Sequence, residues 1–440
     1  MKMDDLSVPR DPESAAQVDY LSRDRLTALQ VERLQRVVQL AYDQVELSRA
    51  RLTDSGMLPQ QIVGLDDLSR LPFTVKQDLR DTYPYGMLAC PMAEVRRIHA
   101  SSGTTGTPIV VPYTDRDLKV WTSAMVRTLH AYGIHAKDVI QNAYGYGLFT
   151  GGLGVHYGGE QLGATMVPTS SGSTDRQILV LKEFGVTIIC CTPSYFLHLL
   201  DRAEDLGVDL RELPLRAGVF GAEPWTEAMR KRVEQSAGIK AFDIYGLSEI
   251  VGPGVAAECE QQDGLHIFED HFLPEIINPE SGEVLPDGEE GELVLTTLSK
   301  EAMPLIRYRT GDITTIIPGT CPCGRVLRRI RRISRRTDDM MIIRGVNVYP
   351  SQIESALLAV DGTLPHYQIE LSRNEDLDQV AVHVEIDGDS DASANGRLHG
   401  LVTDALKRVV GLRMEVKLLA PQTLPRSEGK AQRVVDKRPV

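Results

Sequence analysis

Cysteine, tryptophan and long apolar runs are all scarce in this chain. Six cysteines and two tryptophans occur in 440 residues. So few thiols cannot form a disulfide scaffold at this length, and they point to a reducing, cytoplasmic setting. The opening MKMDDLSVPRDPES is polar and acidic and does not read as a secretory signal. No stretch of about 18 apolar residues is present, so no membrane span is expected. Positive charge is in deficit, with 48 Lys and Arg against 61 Asp and Glu, a net charge of −13. That balance argues against general binding to nucleic acid or to an anionic membrane. The run RVLRRIRRISRR, Arg325 to Arg336, is a local exception. Its isoleucines and leucine recur between the arginines, so amphipathic structure is expected there rather than a nucleic-acid arm. With 42% hydrophobic and 25% charged residues the composition is that of a globular protein. The length exceeds one compact core, so two or three domains are expected.

Small hydroxyl and glycine residues are concentrated in SSGTTGTP, Ser101 to Pro108. Ser101, Ser102, Gly103, Thr104, Thr105 and Gly106 offer backbone N–H groups and hydroxyls to an anion, and the glycines let it come close. Phosphate is the obvious anion. The nucleotide P-loop needs Gly-Lys-Ser/Thr opening into a helix. Here Thr107 and Pro108 lead into Ile109-Val110-Val111, β-branched residues that favour a strand, so the loop is expected to be the bend of a hairpin. A phosphate held there needs a cation from elsewhere in the chain. The plain alternative is a flexible Ser/Gly linker.

Helical spacing of Leu26, Leu29, Leu34, Val37, Val38, Ala41 and Val45 predicts one long helix or two short ones over 23–52. Thr74 is expected to cap a short helix containing Lys76 and Leu79, and another helix fits 115–130. Glycines interleaved with aromatics at 142–160 argue against regular structure. They suit backbone packed around a flat apolar ligand, with Tyr144, Tyr146 and Phe149 as walls. Apolar strands then alternate with helices: strands near 165–167, 187–191, 217–220 and 241–244, helices near 176–184, 194–203 and 226–235. This predicts βαβ units and a largely parallel sheet, with ligands beyond the strand carboxyl ends. Two polar turns stand there, Gly221-Ala222-Glu223-Pro224 and Tyr245-Gly246-Leu247-Ser248-Glu249.

Residues 264–315 read as a β-rich subdomain. From about 339 a separate α+β domain is expected, with a Ser351/Glu354 capping box opening a helix. Strands follow near 367–371 and 380–386, then a helix at 396–410 and a strand at 414–419. The tail places Lys430 beside Gly429; most tail lysines are merely solvated.

Seven motifs in order, SSGTTGTP, YGYGLFTGGLG, GAEPW, YGLSE, YRTGD, RRTDDMMIIRGVNVYPSQIE and a terminal EGK, resemble those of the adenylate-forming enzymes. The resemblance runs from about residue 20 to the end and is nearest to the aryl-acid–coenzyme A ligases. It implies an α/β fold: a large domain, 1–337, with mostly parallel sheets and a β-rich subdomain, plus a small mobile α+β domain, 338–440. It implies that a carboxylate attacks the α-phosphate of ATP, that pyrophosphate leaves, and that coenzyme A then displaces AMP from the acyl-adenylate. By resemblance, Ser101–Gly106 hold the pyrophosphate end and Glu249 holds Mg²⁺. Gly221, Ala222, Glu223, Pro224, Asp243, Tyr245, Gly246 and Ser248 surround the nucleotide, with Tyr245 near the adenine. Asp312 accepts the ribose hydroxyls, Arg336 reaches the nucleotide from the hinge, and Lys430 is the missing cation. Asp338 is the hinge about which the small domain rotates, and Gly345 then faces the pantetheine arm. Tyr144, Phe149, Gly221, Ile244 and Pro253 form the acid pocket; none is cationic, which suits a flat uncharged ring, with phenylacetate favoured.

Two departures from the family stand out. Thr107 replaces a common lysine in the phosphate loop, and Arg335 replaces a glycine before the hinge. Arg335 is strained if that position needs positive φ. Two alternatives stay open. One is transfer of the acyl group to a carrier-protein pantetheine or an amine, from a benzoate or anthranilate type acid. The other is a non-enzymatic nucleotide or aryl-acid binding protein. A homodimer is implied only by resemblance.

A structural zinc site is also expected. Cys321-Pro322-Cys323-Gly324 places two thiols on a turn, and Cys259 and His266 precede them in the β-rich region. Three thiolates and one imidazole complete a closed tetrahedral set. The alternative is unrelated side chains, with the thiols buried as small hydrophobes.

Overall fold

The computed structural model describes residues 16–101, 108–337, 341–343, 346–374, 377–388, 392–426 and 433–438. The chain forms two compact units, one of residues 1–171, 186–190 and 242–332, the other of 172–185, 191–241 and 333–440.

In the first unit, α1 (Arg23–Gln44) and α2 (Glu46–Asp54) are the two-helix version of the expected pattern. Val45 separates them in an extended conformation, and Leu26, Leu34, Val37, Val38 and Ala41 are buried along one face. The short helix α3 (Lys76–Asp81) follows. Thr74 does not cap it. Its hydroxyl donates to the Ile306 carbonyl at 2.7 Å, and Asp78 Oδ2 accepts the Val75 N–H at 2.7 Å instead.

Strands β1 (Val95–Ala100) and β2 (Val110–Thr114), which flank the hydroxyl-rich segment, pair antiparallel, with Ala100 opposite Val110. Thr114 and Asp117 form a capping box at the start of α4 (Asp115–Ala131). Next come β3 (Val139–Asn142), α5 (Gly151–Leu162) and β4 (Thr165–Val167). Both β4 and β5 (Ile188–Cys191) run parallel to β3, as the apolar runs predicted.

Helix α5 corrects the expectation of irregular structure at 142–160. A Cβ on Gly154 would stand 2.6 Å from Trp121 Cζ2, and one on Gly158 2.5 Å from Met125 Cβ. The glycines thus let α5 lie directly on α4. That contact outweighs their low helix propensity, which costs roughly 1 kcal/mol per glycine relative to alanine.

The second unit holds α6 (Thr174–Glu183), α7 (Pro193–Asp205), β6 (Ala217–Gly221) and α8 (Glu227–Ala237), close to the expected spans. The chain re-enters the first unit along β7 (Lys240–Leu247). The rest of that unit is antiparallel: β8 (Gly252–Ala257), β9 (Leu265–Ile267), β10 (Phe272–Ile277), β11 (Glu290–Thr297), β12 (Tyr308–Ile317) and β13 (Arg329–Ile330). Pairing runs β7–β8–β9–β13–β12–β11–β10. The basic run is ordered within it. Leu327 and Ile330 are buried, while Arg328 pairs with Glu269 at 2.9 Å and Arg329 with Asp263 at 2.6 Å.

The second unit resumes with β14 (Arg335–Arg336) and a hairpin of β15 (Met341–Ile343) and β16 (Val346–Val348). Then come α9 (Pro350–Leu358), β17 (Thr363–Asn374), β18 (Leu377–Ile386), α10 (Ala392–Val410), β19 (Glu415–Leu419) and β20 (Val434–Asp436). A four-stranded sheet in the order β19–β18–β17–β20 shares a core with α9 and α10, including Ile353, Leu357, Ile369, Val382, Val402 and Leu406. This is the α+β domain the sequence predicted. Its α9 does not use the Ser351/Glu354 box. Gln352 Oε1 accepts the Tyr349 N–H at 3.1 Å, and the buried Glu354 accepts from Arg433 Nη2 at 3.2 Å. Arg335 is a strand residue, not one of the non-glycine residues found with positive φ. Its guanidinium lies 5.3 Å from the Tyr349 ring centroid, so no glycine is needed there.

Candidate active site

Strand β7 delivers Ser248, Glu249 and Ile250 as a turn, with Ile250 and Val251 N–H both donating to the Leu247 carbonyl at 3.2 Å. Glu249 is 7% exposed, and its carboxylate makes no hydrogen bond or ion pair among the described residues. A secluded carboxylate left without a partner is a hard oxygen ligand of the kind Mg²⁺ takes. Beneath it, Lys300 donates from Nζ to the carbonyls of Glu249 (2.9 Å) and Ile250 (2.7 Å). Burial pushes the Lys300 ammonium down to about 8.

Tyr245, on the same strand, donates its hydroxyl to Asp312 Oδ2 at 2.6 Å. Asp312 is buried on β12, and its N–H donates to Thr310 Oγ1 at 3.0 Å. The motifs YGLSE and YRTGD thus meet in one hydrogen bond, between residues 67 positions apart in the chain. Asp243 sits deeper. Its N–H donates to Glu258 Oε2 at 2.8 Å, its carbonyl accepts from Tyr132, and its carboxylate pairs with Arg332 at 3.3 Å. Gly246 lies opposite Pro253, where a Cβ would run into the Gly252 carbonyl. Ser248 Oγ is 3.3 Å from Thr150 Oγ1.

The glycine-rich segment meets these strands. Pro253 Cγ lies 2.8 Å from where a Gly154 Cβ would stand, and the Trp121 indole donates to the Pro253 carbonyl at 2.9 Å. Tyr144 is buried at the start of the β3–α5 loop, Phe149 ends that loop against Gly151, and Ile244 is buried on β7. Four of the five expected pocket residues therefore belong to the first unit. Tyr146, a further expected wall, is tied down: Asn142 Nδ2 donates to its hydroxyl at 2.8 Å, with His156 Nδ1 3.2 Å away.

At the base of the phosphate loop, Ser101 N–H donates to the Ile109 carbonyl, and Ile109 N–H donates to Ser101 Oγ, both at 3.0 Å. Ser102, Gly103, Thr104, Thr105, Gly106 and Thr107 lie outside the described residues, as do Asp338, Gly345 and Lys430. In the second unit, Gly221 ends β6 and Ala222 follows at φ +70°, a tight bend unusual for a residue with a Cβ. Glu223 Oε1 accepts the Ser194 N–H at the start of α7 (2.7 Å), Pro224 is exposed, and Arg336 is half-buried on β14.

The thiol and imidazole set does come together. Among the described residues, the ligand atoms of Cys259, His266, Cys321 and Cys323 all lie within 4.8 Å of one another. Cys259 Sγ is 3.7 Å from Cys321 Sγ, and Cys323 Sγ is 3.5 Å from His266 Nε2. Burial pushes His266 down to about 4, so the imidazole is neutral at pH 7. Arg325, just beyond the thiols, pairs with Asp19 at 3.3 Å, which ties the CPCG turn to the N-terminal segment.

Sequence reasoning missed Lys300 and Tyr113. Lys300 stands in a polar stretch after β11, where nothing in the residue pattern marks a buried lysine. Tyr113 reads simply as a strand residue after the phosphate loop.

Two family models match the chain: "AMP-binding enzyme" over residues 77–299 and "AMP-binding enzyme C-terminal domain" over 345–438. The chain is 51% identical over 432 residues to the phenylacetate-coenzyme A ligase of Pseudomonas putida, covering 97% of each. It is 50% identical to the phenylacetate-coenzyme A ligase of Thermus thermophilus, covering 96% of this chain and 99% of the relative. Among solved structures it resembles 2-hydroxyisobutyryl-CoA ligase in complex with 2-HIB-AMP, with a TM-score of 0.88, 29% identity, and coverage of 94% of this chain and 90% of that one. The chain belongs to the AMP-binding enzymes, in the AMP-forming acid–thiol ligase family of the phenylacetate-coenzyme A ligases.

Proposed function

We propose that this enzyme activates a phenylacetate-like aryl acid with ATP and passes the acyl group to coenzyme A. The full-length 51% identity to a phenylacetate-coenzyme A ligase carries this proposal. The substrate carboxylate attacks the α-phosphorus of ATP and pyrophosphate leaves. The coenzyme A thiol then attacks the acyl carbonyl and AMP leaves, taking the electron pair of the broken C–O bond. In the first step charge builds on the transferring phosphoryl group, so the protein's task is positioning and electrostatic stabilisation.

Asp312, held by Tyr245, receives the ribose hydroxyls, since a carboxylate can accept two hydrogen bonds. The Ser101–Gly106 loop receives the pyrophosphate end, and Lys430 brings the positive charge that the loop lacks. Bound Mg²⁺ would neutralise phosphate charge, with the buried Glu249 carboxylate, which has no hydrogen-bond partner among the described residues, as its protein ligand. Gly221 to Pro224, Asp243, Gly246, Ser248 and Arg336 complete the nucleotide environment. We assign residues 1–337 to the large domain and 338–440 to the small one. Asp338 is the hinge, and Gly345 gives the pantetheine arm close access during the second half-reaction. Homodimer formation and a cytoplasmic setting complete the proposal; among the described residues no helix is long and apolar enough to cross a membrane.

Tyr144, Phe149, Ile244 and Pro253 give the acid site an uncharged, partly aromatic lining. Phenylacetate or a close aryl acid is therefore expected to have a higher kcat/KM than either octanoate or 2-hydroxyisobutyrate. Coupled AMP release measured across such a panel tests this, and the proposal fails if octanoate exceeds every aryl acid.

The Cys259, His266, Cys321 and Cys323 cluster is proposed to bind structural Zn²⁺. Tetrahedral thiolate ligation at about 2.3 Å puts sulfur atoms about 3.8 Å apart, close to the 3.7 Å between Cys259 and Cys321. Protein purified without added metal is expected to carry about one zinc per chain. Chelation should lower the melting temperature before it affects the Mg²⁺-dependent chemistry, because ligation contributes folding free energy. Far less than one zinc by elemental analysis, with Cys321→Ser leaving Tm unchanged, would refute the site.

A further inference from the structure

We infer that Lys300 and Tyr113 are positioning residues for adenylation: Lys300 holds the carbonyls of Glu249 and Ile250, the Tyr113 hydroxyl holds that of Val251, and together they fix how the Glu249 carboxylate is presented. The inference rests on the proposed Mg²⁺ role of Glu249.

Lys300 Nζ takes the carbonyls of Glu249 and Ile250 at 2.9 and 2.7 Å. The Tyr113 hydroxyl lies 3.1 Å from the Val251 carbonyl and 3.4 Å from that of Ser248. The two side chains also touch, with the ammonium 5.0 Å from the Tyr113 ring centroid. Tyr113 is wholly buried and Lys300 is 6% exposed.

Lysine is rarely buried without a charged partner. Here its hydrogen-bond partners are neutral carbonyls; the Asp117 and Glu249 carboxylates favour its charge from nearby, but neither pairs with it directly among the described residues. An apolar side chain would fill the same space without the desolvation cost of an ammonium. Aiming a cation at two adjacent peptide carbonyls has a different effect: it fixes the peptide planes on either side of the Glu249–Ile250 bond.

Both clamps are themselves anchored. The residues after Lys300, Glu301 and Ala302, donate their N–H groups to the Asp117 carboxylate at 2.7 and 3.0 Å. Tyr113 stands on β2, the strand that leaves the phosphate loop at Ile109, whose N–H is bonded to Ser101 Oγ. One tyrosine thus joins the strand that follows Ile109 to the Glu249 turn.

The test separates the half-reactions in Lys300→Met, which keeps the stem and removes the donors. Misplacing a reacting group by about 1 Å costs about 10²-fold. Adenylation in Lys300→Met should fall by about that factor and need more Mg²⁺. Conversion of supplied acyl-adenylate and coenzyme A to thioester should stay within about twofold, because that step uses neither Mg²⁺ nor pyrophosphate contacts. Lys300→Arg should restore part of the loss. Tyr113→Phe should shift Mg²⁺ dependence the same way by about tenfold, consistent with loss of one buried hydrogen bond, and it carries the test if Lys300→Met does not fold. Equal loss of both half-reactions would mark a purely structural role and overturn the inference. Glu249→Gln is the control. If it needs more Mg²⁺ while Lys300→Met and Tyr113→Phe behave as wild type, the inference alone fails. If its Mg²⁺ requirement is normal, the metal role fails and the inference with it.

Discussion

Replacing Lys430 with alanine is expected to slow acyl-adenylate formation by roughly 10²-fold or more, the effect of removing one donor to developing charge. The phosphate loop, Ser101 to Pro108, contains no lysine or arginine of its own. Lys430 is the charge assigned to offset what builds on the phosphoryl oxygens as pyrophosphate departs. In the second half-reaction the thiol attacks the acyl carbon, and no bond to phosphorus is made or broken. Lys430→Ala should therefore convert synthetic acyl-adenylate and coenzyme A to thioester at close to the wild-type rate. Rapid-quench assay of each half-reaction checks this, and equal loss of both would remove the role assigned to Lys430.

Asp338→Pro is expected to give the converse pattern. Proline holds φ near −65°, so a residue that must change its backbone angles between half-reactions is held in one state. Adenylation should remain near normal, while the thioester step slows by about tenfold to 10²-fold, in keeping with loss of a required conformational step. Unchanged overall turnover would show that the pivot lies elsewhere.

Most of the architecture was legible because its signals are local. β4, β5, β6 and β7 were visible as short apolar runs between helical patterns, and β17 and β18 as alternating segments; β3 left no such signal. Failures occurred where a tertiary contact overrides local preference. Helix α5 was unreadable because its glycines depress helix propensity; the reason for them, close approach to Trp121 and Met125, lies on another helix. Thr74 and Ser351 look like caps in sequence, but Thr74 bonds Ile306 and Glu354 is taken by Arg433. The site divides in the same way. Glu249, Tyr245 and Asp312 stand in compact motifs that the resemblance singles out, and the structure joins the last two by one hydrogen bond. The Cys259, His266, Cys321 and Cys323 set was readable because thiols are rare enough here for their spacing to carry information. Lys300 was invisible, because a lysine bound to backbone carbonyls leaves no trace in residue pattern.

The central claim is that an acyl-adenylate formed without coenzyme A connects two chemically separate steps. Acid-dependent exchange of pyrophosphate into ATP measures it most directly, run with phenylacetate and Mg²⁺ but without coenzyme A. The account predicts rapid exchange under these conditions, and net formation of AMP and phenylacetyl thioester once coenzyme A is added. Exchange that requires coenzyme A, or none with any aryl acid while thioester still forms, would contradict it.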